Sequence, residues 1–227
     1  MNQKFTILFD LDGTLVDTAP DLMLAHNHVM KKFGYPTKST EDIRNLVGKG
    51  AGALIGRSIW GQAKKEFSKV LDDKIKDEMV KEFVNFYGKN IINESTLITG
   101  VKEFLKWCKE HNISMAVCTN KQEHLSNDLL KKIGIYDFFE YVAGSDTFDY
   151  CKPDPRHLTS VVEILDGDVK KTIMIGDSET DANAAKAAEI PIILLENGYT
   201  EKNTTEIYHN HLIKDFTGIE KIISKYL

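Results

Sequence analysis

The sequence has few cysteines, no excess of basic residues and no long apolar run, and each shortage excludes a class of protein. Its three cysteines, Cys108, Cys118 and Cys151, have neither C-x-x-C spacing nor an even count, which indicates neither a zinc site nor a disulfide framework. The net charge is −5, which argues against nucleic acid as a partner, because phosphate backbones bind clusters of Lys and Arg. We therefore expect a protein of a reducing compartment.

Targeting and membrane segments are not evident either. The start of the chain, MNQKFTILFDLDGTL, has too short an apolar run for a signal peptide, and no stretch approaches transmembrane length. With 227 residues, 42% hydrophobic and 28% charged, the chain is long enough for one generous domain or a core with a smaller companion. We expect a cytoplasmic globular protein, monomer or homodimer, with no membrane partner.

Short apolar runs alternate with helical patterns over much of the chain. The runs at 5–9, 113–118, 141–143, 172–175 and 192–195 are expected to be buried strands. Helices between them, including helices starting near Pro155 and Thr180, supply the crossovers that parallel strands require. The pattern predicts an α/β fold with a Rossmann-like open parallel sheet.

Between the first and second strands the pattern is helical. One helix is expected from Pro20 to Gly34, another near Thr40 and a third near Ala51. A longer helical stretch follows, with apolar residues Phe67, Val70, Val80, Phe83 and Tyr87. We predict a core formed by residues 1–16 and 96–227, with residues 17–95 as an all-helical cap domain over the active edge.

Polar residues follow four of the strands. They are Asp10 and Asp12, Thr119 and Asn120, Lys152, and Asp177 with Asp181. The carboxyl ends of parallel strands share one edge of the sheet, which is where open α/β sheets bind ligands.

These residue types fit the hydrolysis of a phosphate monoester. Asp10 is placed to attack phosphorus and form a covalent intermediate, while Asp12 protonates the leaving oxygen and later deprotonates water. Mg²⁺ bound by Asp10 and Asp177 would offset the repulsion between carboxylate and phosphate, and Asp181 would act through water or by orienting a ligand.

Three further residues are expected to contact the phosphoryl group. Lys152 would hold a phosphoryl oxygen as a compact point charge. The Thr119 hydroxyl and backbone amides near Gly13 would donate hydrogen bonds to its other oxygens.

Each element alone has a simpler explanation. D-x-D-G occurs in turns and in calcium loops, and Thr119 with Asn120 suits a helix cap. Lys152 before a proline suits a solvated loop, and Asp177 to Asp181 suits a helix N-terminus. Their joint occurrence at successive strand ends favours the catalytic interpretation.

The motifs resemble those of the haloacid dehalogenase superfamily, in order and over nearly the whole chain. LFDLDGTLVDT, VCTN, CKPDP and IGDSETD resemble its first to fourth motifs. The resemblance implies that Asp10 is the nucleophile, that Asp12 is the acid/base and a metal ligand through its carbonyl, and that Asp177 is a further ligand. It also implies that the helical insert is a C1-type cap that excludes water.

Within that superfamily the chain is most similar to the phosphoglycolate phosphatase group. The segment LVGKGAGALI resembles that group's cap loop, and we expect Gly48, Lys49, Gly50 and Asn120 to bind substrate, with Lys49 facing a carboxylate. An interhelical turn with a solvated lysine is the alternative for Gly48 to Gly50. A sugar phosphate mutase, and a pyrophosphatase or nucleotide phosphatase on the same fold, remain alternatives. A non-catalytic binding module is disfavoured, because Asp10, Asp12, Lys152 and Asp177 are all present.

Overall fold

The computed structural model describes residues 3–66 and 73–227. Phe67 and Val70, expected on a helical face, lie outside the described residues, as do the side chains of 60–66 and 73. The strands are β1 (Thr6–Phe9), β2 (Val16–Asp17), β3 (Thr96–Leu97), β4 (Ser114–Cys118), β5 (Tyr141–Ala143), β6 (Thr172–Gly176), β7 (Ile192–Leu195) and β8 (His211–Ile213).

The α-helices are α1 (Ala19–Phe33), α2 (Thr40–Arg44), α3 (Ala51–Glu66), α4 (Asp73–Lys89), α5 (Val101–Glu110), α6 (Glu123–Ile133), α7 (Arg156–Ile164), α8 (Glu179–Ala187) and α9 (Glu220–Ile223). Short 3₁₀ helices cover Tyr136–Phe138, Val169–Lys171 and Thr204–Glu206. None of the helices described here is long and apolar enough to cross a membrane.

The core is a six-stranded parallel sheet in the order β5-β4-β1-β6-β7-β8. Its central strands are apolar and buried on both faces, because side chains alternate between the faces and helices cover each of them. Ile7 and Phe9 of β1 belong to one apolar cluster, and Leu8 belongs to the other. The predicted α/β parallel sheet is confirmed; β2, β3 and β8 are strands that the sequence analysis did not predict.

Helices α1–α4, which we call the helical insert, lie between β2 and β3 in the chain. Helix α1 has Pro20 in its first turn and ends at Gly34, which adopts the left-handed conformation with φ 77°. Ser39 and Asp42 form a capping box at the start of α2. Helix α4 packs against α1 and α3.

The helical insert leaves and rejoins the rest of the chain at one place. β2 pairs with β3 in an antiparallel ribbon, with Val16 opposite Leu97 and Asp17 opposite Thr96. Ile98 N also donates a hydrogen bond to Leu15 O at 3.0 Å. The ribbon places the helical insert close to the carboxyl end of β1.

Candidate active site

Asp10 begins the site, directly after β1. Its backbone N donates to Ile175 O at 2.9 Å, which fixes the chain between β1 and β6. The Lys152 ammonium donates to Asp10 Oδ1 at 2.7 Å and to Asp181 Oδ1 at 2.6 Å. These three side chains are buried, so the lysine links the first and fourth motifs through the interior.

Three carboxylates cluster around that lysine. One carboxylate oxygen from each of Asp10, Asp177 and Asp181 lies within 4.8 Å of the others, and all three residues are buried. Hard oxygen donors of this kind suit Mg²⁺. With one ammonium bonded to two of the three acids, the cluster retains negative charge that a divalent cation would neutralise, so the donor set fits the ion.

Burial and mutual repulsion act on the protonation of this cluster. Burial raises the pKa of Asp10 to about 6, and the charge on Lys152 opposes that rise. Burial, followed by the charge on Asp10, raises the pKa of Asp177 well above its ordinary value. For Lys152 burial works toward a lower pKa, but the charges on Asp10 and Asp181 outweigh it and the pKa is raised. The lysine therefore stays charged.

Asp181 has both carboxylate oxygens in use. Oδ2 accepts hydrogen bonds from Ser178 N at 3.1 Å, Ser178 Oγ at 2.6 Å and Asp177 N at 3.3 Å, and Ser178 and Asp181 form the capping box of α8. Oδ1 accepts from Lys152. This arrangement suits a residue that orients the others, since it ties the Asp177 backbone to the lysine.

Asp177 is positioned from the opposite side by Tyr199. The Tyr199 N–H donates to Asp177 Oδ2 at 2.6 Å. Gly13 and Gly198 leave room for this contact: a Cβ on Gly13 would lie 2.2 Å from Asp177 Oδ2, and one on Gly198 would lie 2.0 Å from the Asp177 carbonyl oxygen. Both separations are below contact distance, so any side chain there would displace Asp177.

Gly13 differs from the expectation for it. Its N–H donates to Val16 O at 2.8 Å and so is not free for a phosphoryl oxygen. Its φ of 81° is in the left-handed region, where glycine is strongly favoured. The structure gives Gly13 a packing role beside Asp177 and Tyr199.

A cavity of about 250 Å³ opens over the site between the sheet edge and the helical insert. Its polar lining includes Asp10, Asp12, Lys49, Thr119, Asn120, Lys121, Lys152 and Asp181. Leu22, Leu54, Val80, Phe83, Tyr87 and Leu125 form an apolar wall.

The loop Gly48–Gly50 approaches the sheet edge at this cavity. Asn120 Nδ2 donates to Gly48 O at 3.1 Å and to Lys152 O at 2.9 Å, so one amide connects the loop to the third motif. Gly48 and Gly50 have φ of 95° and 81°. Thr119 directly follows β4, where its N–H donates to Ala143 O at 2.9 Å and its Oγ1 accepts from Lys121 N at 3.2 Å.

Asp12 has partners that the sequence analysis missed. Lys121 Nζ donates to Asp12 Oδ1 at 2.6 Å and to Oδ2 at 2.7 Å, and Thr18 Oγ1 donates to Oδ1 at 2.7 Å. Lys121 directly follows VCTN, and this position after a strand end was the only signal for it in the sequence. The sequence predicted that six of the site residues lie together at one edge of the sheet. The structure places all six at this cavity: Asp10, Asp12, Thr119, Asn120, Lys152 and Asp181.

Comparison with known proteins agrees with this geometry. Residues 7–195 match the family model of the haloacid dehalogenase-like hydrolases. The chain belongs to the haloacid dehalogenase-like hydrolases. This hydrolase is 37% identical over 213 residues to the phosphoglycolate phosphatase of Mesorhizobium japonicum, covering 94% of this chain and 92% of the relative. It is 38% identical over 216 residues to that of Caulobacter vibrioides, covering 95% and 89%.

Solved structures of the family share the fold. A crystal structure from Haemophilus somnus, described as a predicted phosphoglycolate phosphatase, superposes with a TM-score of 0.90 at 30% identity, over 98% of this chain and 99% of that one. The family and these relatives identify this hydrolase as a phosphoric monoester hydrolase that acts on a small phosphorylated substrate.

Proposed function

We propose that this hydrolase is a Mg²⁺-dependent phosphatase that converts 2-phosphoglycolate to glycolate and phosphate through an aspartyl-phosphate on Asp10. The observation that carries the proposal is the buried cluster of Asp10, Asp177 and Asp181 around Lys152. The named phosphoglycolate phosphatases at 37% and 38% identity support the substrate.

Mg²⁺ would be held by carboxylate oxygens of Asp10 and Asp177 and by the Asp12 carbonyl, and it would neutralise charge on the phosphoryl group. Asp10 Oδ1 is held by Lys152, which leaves Oδ2 to attack phosphorus. As the Asp10–phosphorus bond forms, the bond from phosphorus to the ester oxygen breaks, and the Asp12 carboxyl gives that oxygen its proton.

The second half-reaction returns the residues to their starting state. Asp12, now a carboxylate, takes a proton from water as the water oxygen bonds to phosphorus and the Asp10–phosphorus bond breaks. Asp10 becomes a free carboxylate and inorganic phosphate leaves. Asp181 and Ser178 keep the Asp177 backbone fixed throughout.

We propose further that residues 17–95 act as a cap, and that Gly48, Lys49, Gly50 and Asn120 bind the substrate. Lys49 lines the cavity and has no ion pair among the described residues. Lys121 and Lys152 are both paired with carboxylates. Lys49 is therefore the cavity cation best able to bind a substrate carboxylate by donating hydrogen bonds to it.

The test is phosphate release from 2-phosphoglycolate by purified protein with Mg²⁺, with EDTA, and by an Asp10→Asn variant. We expect release only by the wild type with Mg²⁺, and rapid acid quenching should reveal protein heavier by one phosphoryl group. Release at the wild-type rate by Asp10→Asn would refute the mechanism. Transfer of phosphate from a sugar 1-phosphate to the 6-hydroxyl, without net phosphate release, would identify a mutase instead.

A further inference from the structure

Lys121 is buried beside the proposed acid/base. It is 9% exposed, and its ammonium contacts both carboxylate oxygens of Asp12, at 2.6 Å and 2.7 Å. The same ammonium lies 4.7 Å from the centre of the Tyr87 ring, which belongs to α4 of the helical insert. One lysine therefore contacts the catalytic edge of the sheet and the helices that cover it.

Burying an ammonium removes its hydration, which costs free energy unless other groups replace the water. Lysine on a loop ordinarily extends into solvent. Here a carboxylate and the face of an aromatic ring replace the water, and both attract a cation.

The contacts also restrict how Asp12 can turn. Oδ1 accepts hydrogen bonds from Lys121 and Thr18, and Oδ2 accepts from Lys121. These donors fix the plane of the carboxylate, and when Oδ2 carries the proton that Asp12 donates, the contacts from Lys121 and Thr18 to Oδ1 still hold that plane. A general acid needs such fixation, because proton transfer depends on the alignment of the donor with the leaving oxygen.

We propose that Lys121 is a positioning residue that holds the Asp12 carboxyl aligned with the leaving oxygen, and that Tyr87 of the helical insert holds Lys121 in place. The inference rests on the proposed function, in which Asp12 protonates the leaving group. It predicts that loss of Lys121 harms those esters whose leaving group needs a proton.

The experiment compares kcat/KM of wild type and Lys121→Met on three esters with Mg²⁺. They are 2-phosphoglycolate, ethyl phosphate, which lacks a carboxylate, and p-nitrophenyl phosphate, whose leaving group departs without protonation. We expect kcat/KM to fall about 100-fold on both alkyl esters. On p-nitrophenyl phosphate we expect a fall of less than about threefold, since no proton is needed there.

Two outcomes would overturn the proposal. An equal fall on all three esters would mean that Lys121 acts only in folding or packing. A fall on 2-phosphoglycolate alone would mean that Lys121 binds the substrate carboxylate directly. Wild-type protein that hydrolyses none of the esters would instead refute the proposed function, which separates the two failures.

Four further variants sharpen the comparison. Asp12→Asn should give the same preference among esters, and adding Lys121→Met to it should cause no further loss, because the lysine acts through the aspartate. Lys121→Arg should recover part of the loss. Lys131→Met is the matched control, since the exposed Lys131 ammonium also lies 4.7 Å from a tyrosine ring, that of Tyr136, away from the cavity; it should leave all three rates unchanged.

Tyr87→Leu provides an independent test if Lys121→Met does not fold. This change keeps the ion pair and removes the ring beneath the ammonium. We expect the same preference among esters with a smaller loss of about two- to fivefold on the alkyl esters. Identical losses on aryl and alkyl esters would contradict the role of Tyr87.

Discussion

The Tyr199 hydroxyl donates a hydrogen bond to Asp17 Oδ1, across 182 positions of sequence. The same hydroxyl accepts a hydrogen bond from Ala19 N at 2.9 Å. Arg44 of α2 donates to the other oxygen, Asp17 Oδ2, at 2.7 Å. The Arg44 guanidinium also lies 5.4 Å from the centre of the Tyr199 ring. Because the Tyr199 N–H also contacts Asp177, one residue connects the acidic cluster to the start of the helical insert.

Tyr199→Phe should therefore destabilise the fold more than it harms the site. It leaves the Ala19 N–H and Asp17 Oδ1 without the Tyr199 hydroxyl, which costs about 1–3 kcal/mol in the free energy of unfolding, while the Arg44 contact to Asp17 Oδ2 and the backbone contact to Asp177 remain. Urea unfolding measures the loss. The exposed Tyr208 offers the control Tyr208→Phe, which should change little, and equal effects of both substitutions would contradict the role of the Tyr199 hydroxyl.

Removing one acid from the cluster should separate stability from metal binding. Asp177→Asn relieves a buried carboxylate whose pKa burial has raised, so the metal-free variant should melt above the metal-free wild type. Mg²⁺ at 100 times its Kd should stabilise the wild type by about 2.7 kcal/mol and the variant hardly at all. Melting curves with EDTA test the expected gain in stability, and melting curves with Mg²⁺ test the loss of metal binding. A full Mg²⁺ response in Asp177→Asn would show that Asp177 is not a metal ligand.

Lys49 should control substrate affinity and not chemistry. Lys49→Met is expected to raise the KM for 2-phosphoglycolate about 10- to 100-fold, the loss of a charge-assisted hydrogen bond of about 1.5–3 kcal/mol. The kcat should change little, because Lys49 does not contact the Asp10 cluster. Ethyl phosphate, without a carboxylate, should show no change in KM, and a parallel rise on both esters would contradict carboxylate recognition by Lys49.

His157 should make stability depend on pH. Burial, and next the charge of Lys152, lowers the pKa of His157 to about 4, and its Nδ1 accepts from Lys152 N at 3.3 Å. The folded form keeps this ring neutral while the unfolded chain binds a proton. Its stabilising contribution is complete above pH 6.5, the ordinary value, and falls with pH until about pH 4, by about 3 kcal/mol in all.

In the variant His157→Asn, the amide oxygen can accept the hydrogen bond that Nδ1 accepts in the wild type, and the side chain does not titrate. Urea unfolding of both proteins from pH 4 to 7.5 should show a steeper decline in the wild type below pH 6.5. Parallel curves across that range would show that His157 does not carry the dependence.

The sequence predicts the central strands well because β1, β4, β6 and β7 are continuous apolar runs that only a doubly covered sheet buries. It does not predict β2 and β3, which have two residues each and exist because their pairing closes the helical insert. The half-buried β8 lacks such a run. Local patterns carry no information on pairings of this kind.

The site divides in the same way. Asp10, Thr119 and Asp177 follow strands, so the topology alone brings them to one edge. Lys121 could not be assigned, because its burial depends on Tyr87, a residue 34 positions earlier on a helix whose placement follows from the tertiary fold. Tyr199 likewise acquires its role only when its loop meets Asp17.

The ribbon of β2 and β3 has a consequence for the evolution of this enzyme class. The chain enters and leaves the helical insert through two paired strands. Because the entropy cost of closing a loop grows only slowly with its length, an insert of a different length could connect the same two strands without altering the parallel sheet. Because the helical insert supplies part of the cavity wall, we expect its replacement to change which substrates fit and to leave the Asp10 cluster in place.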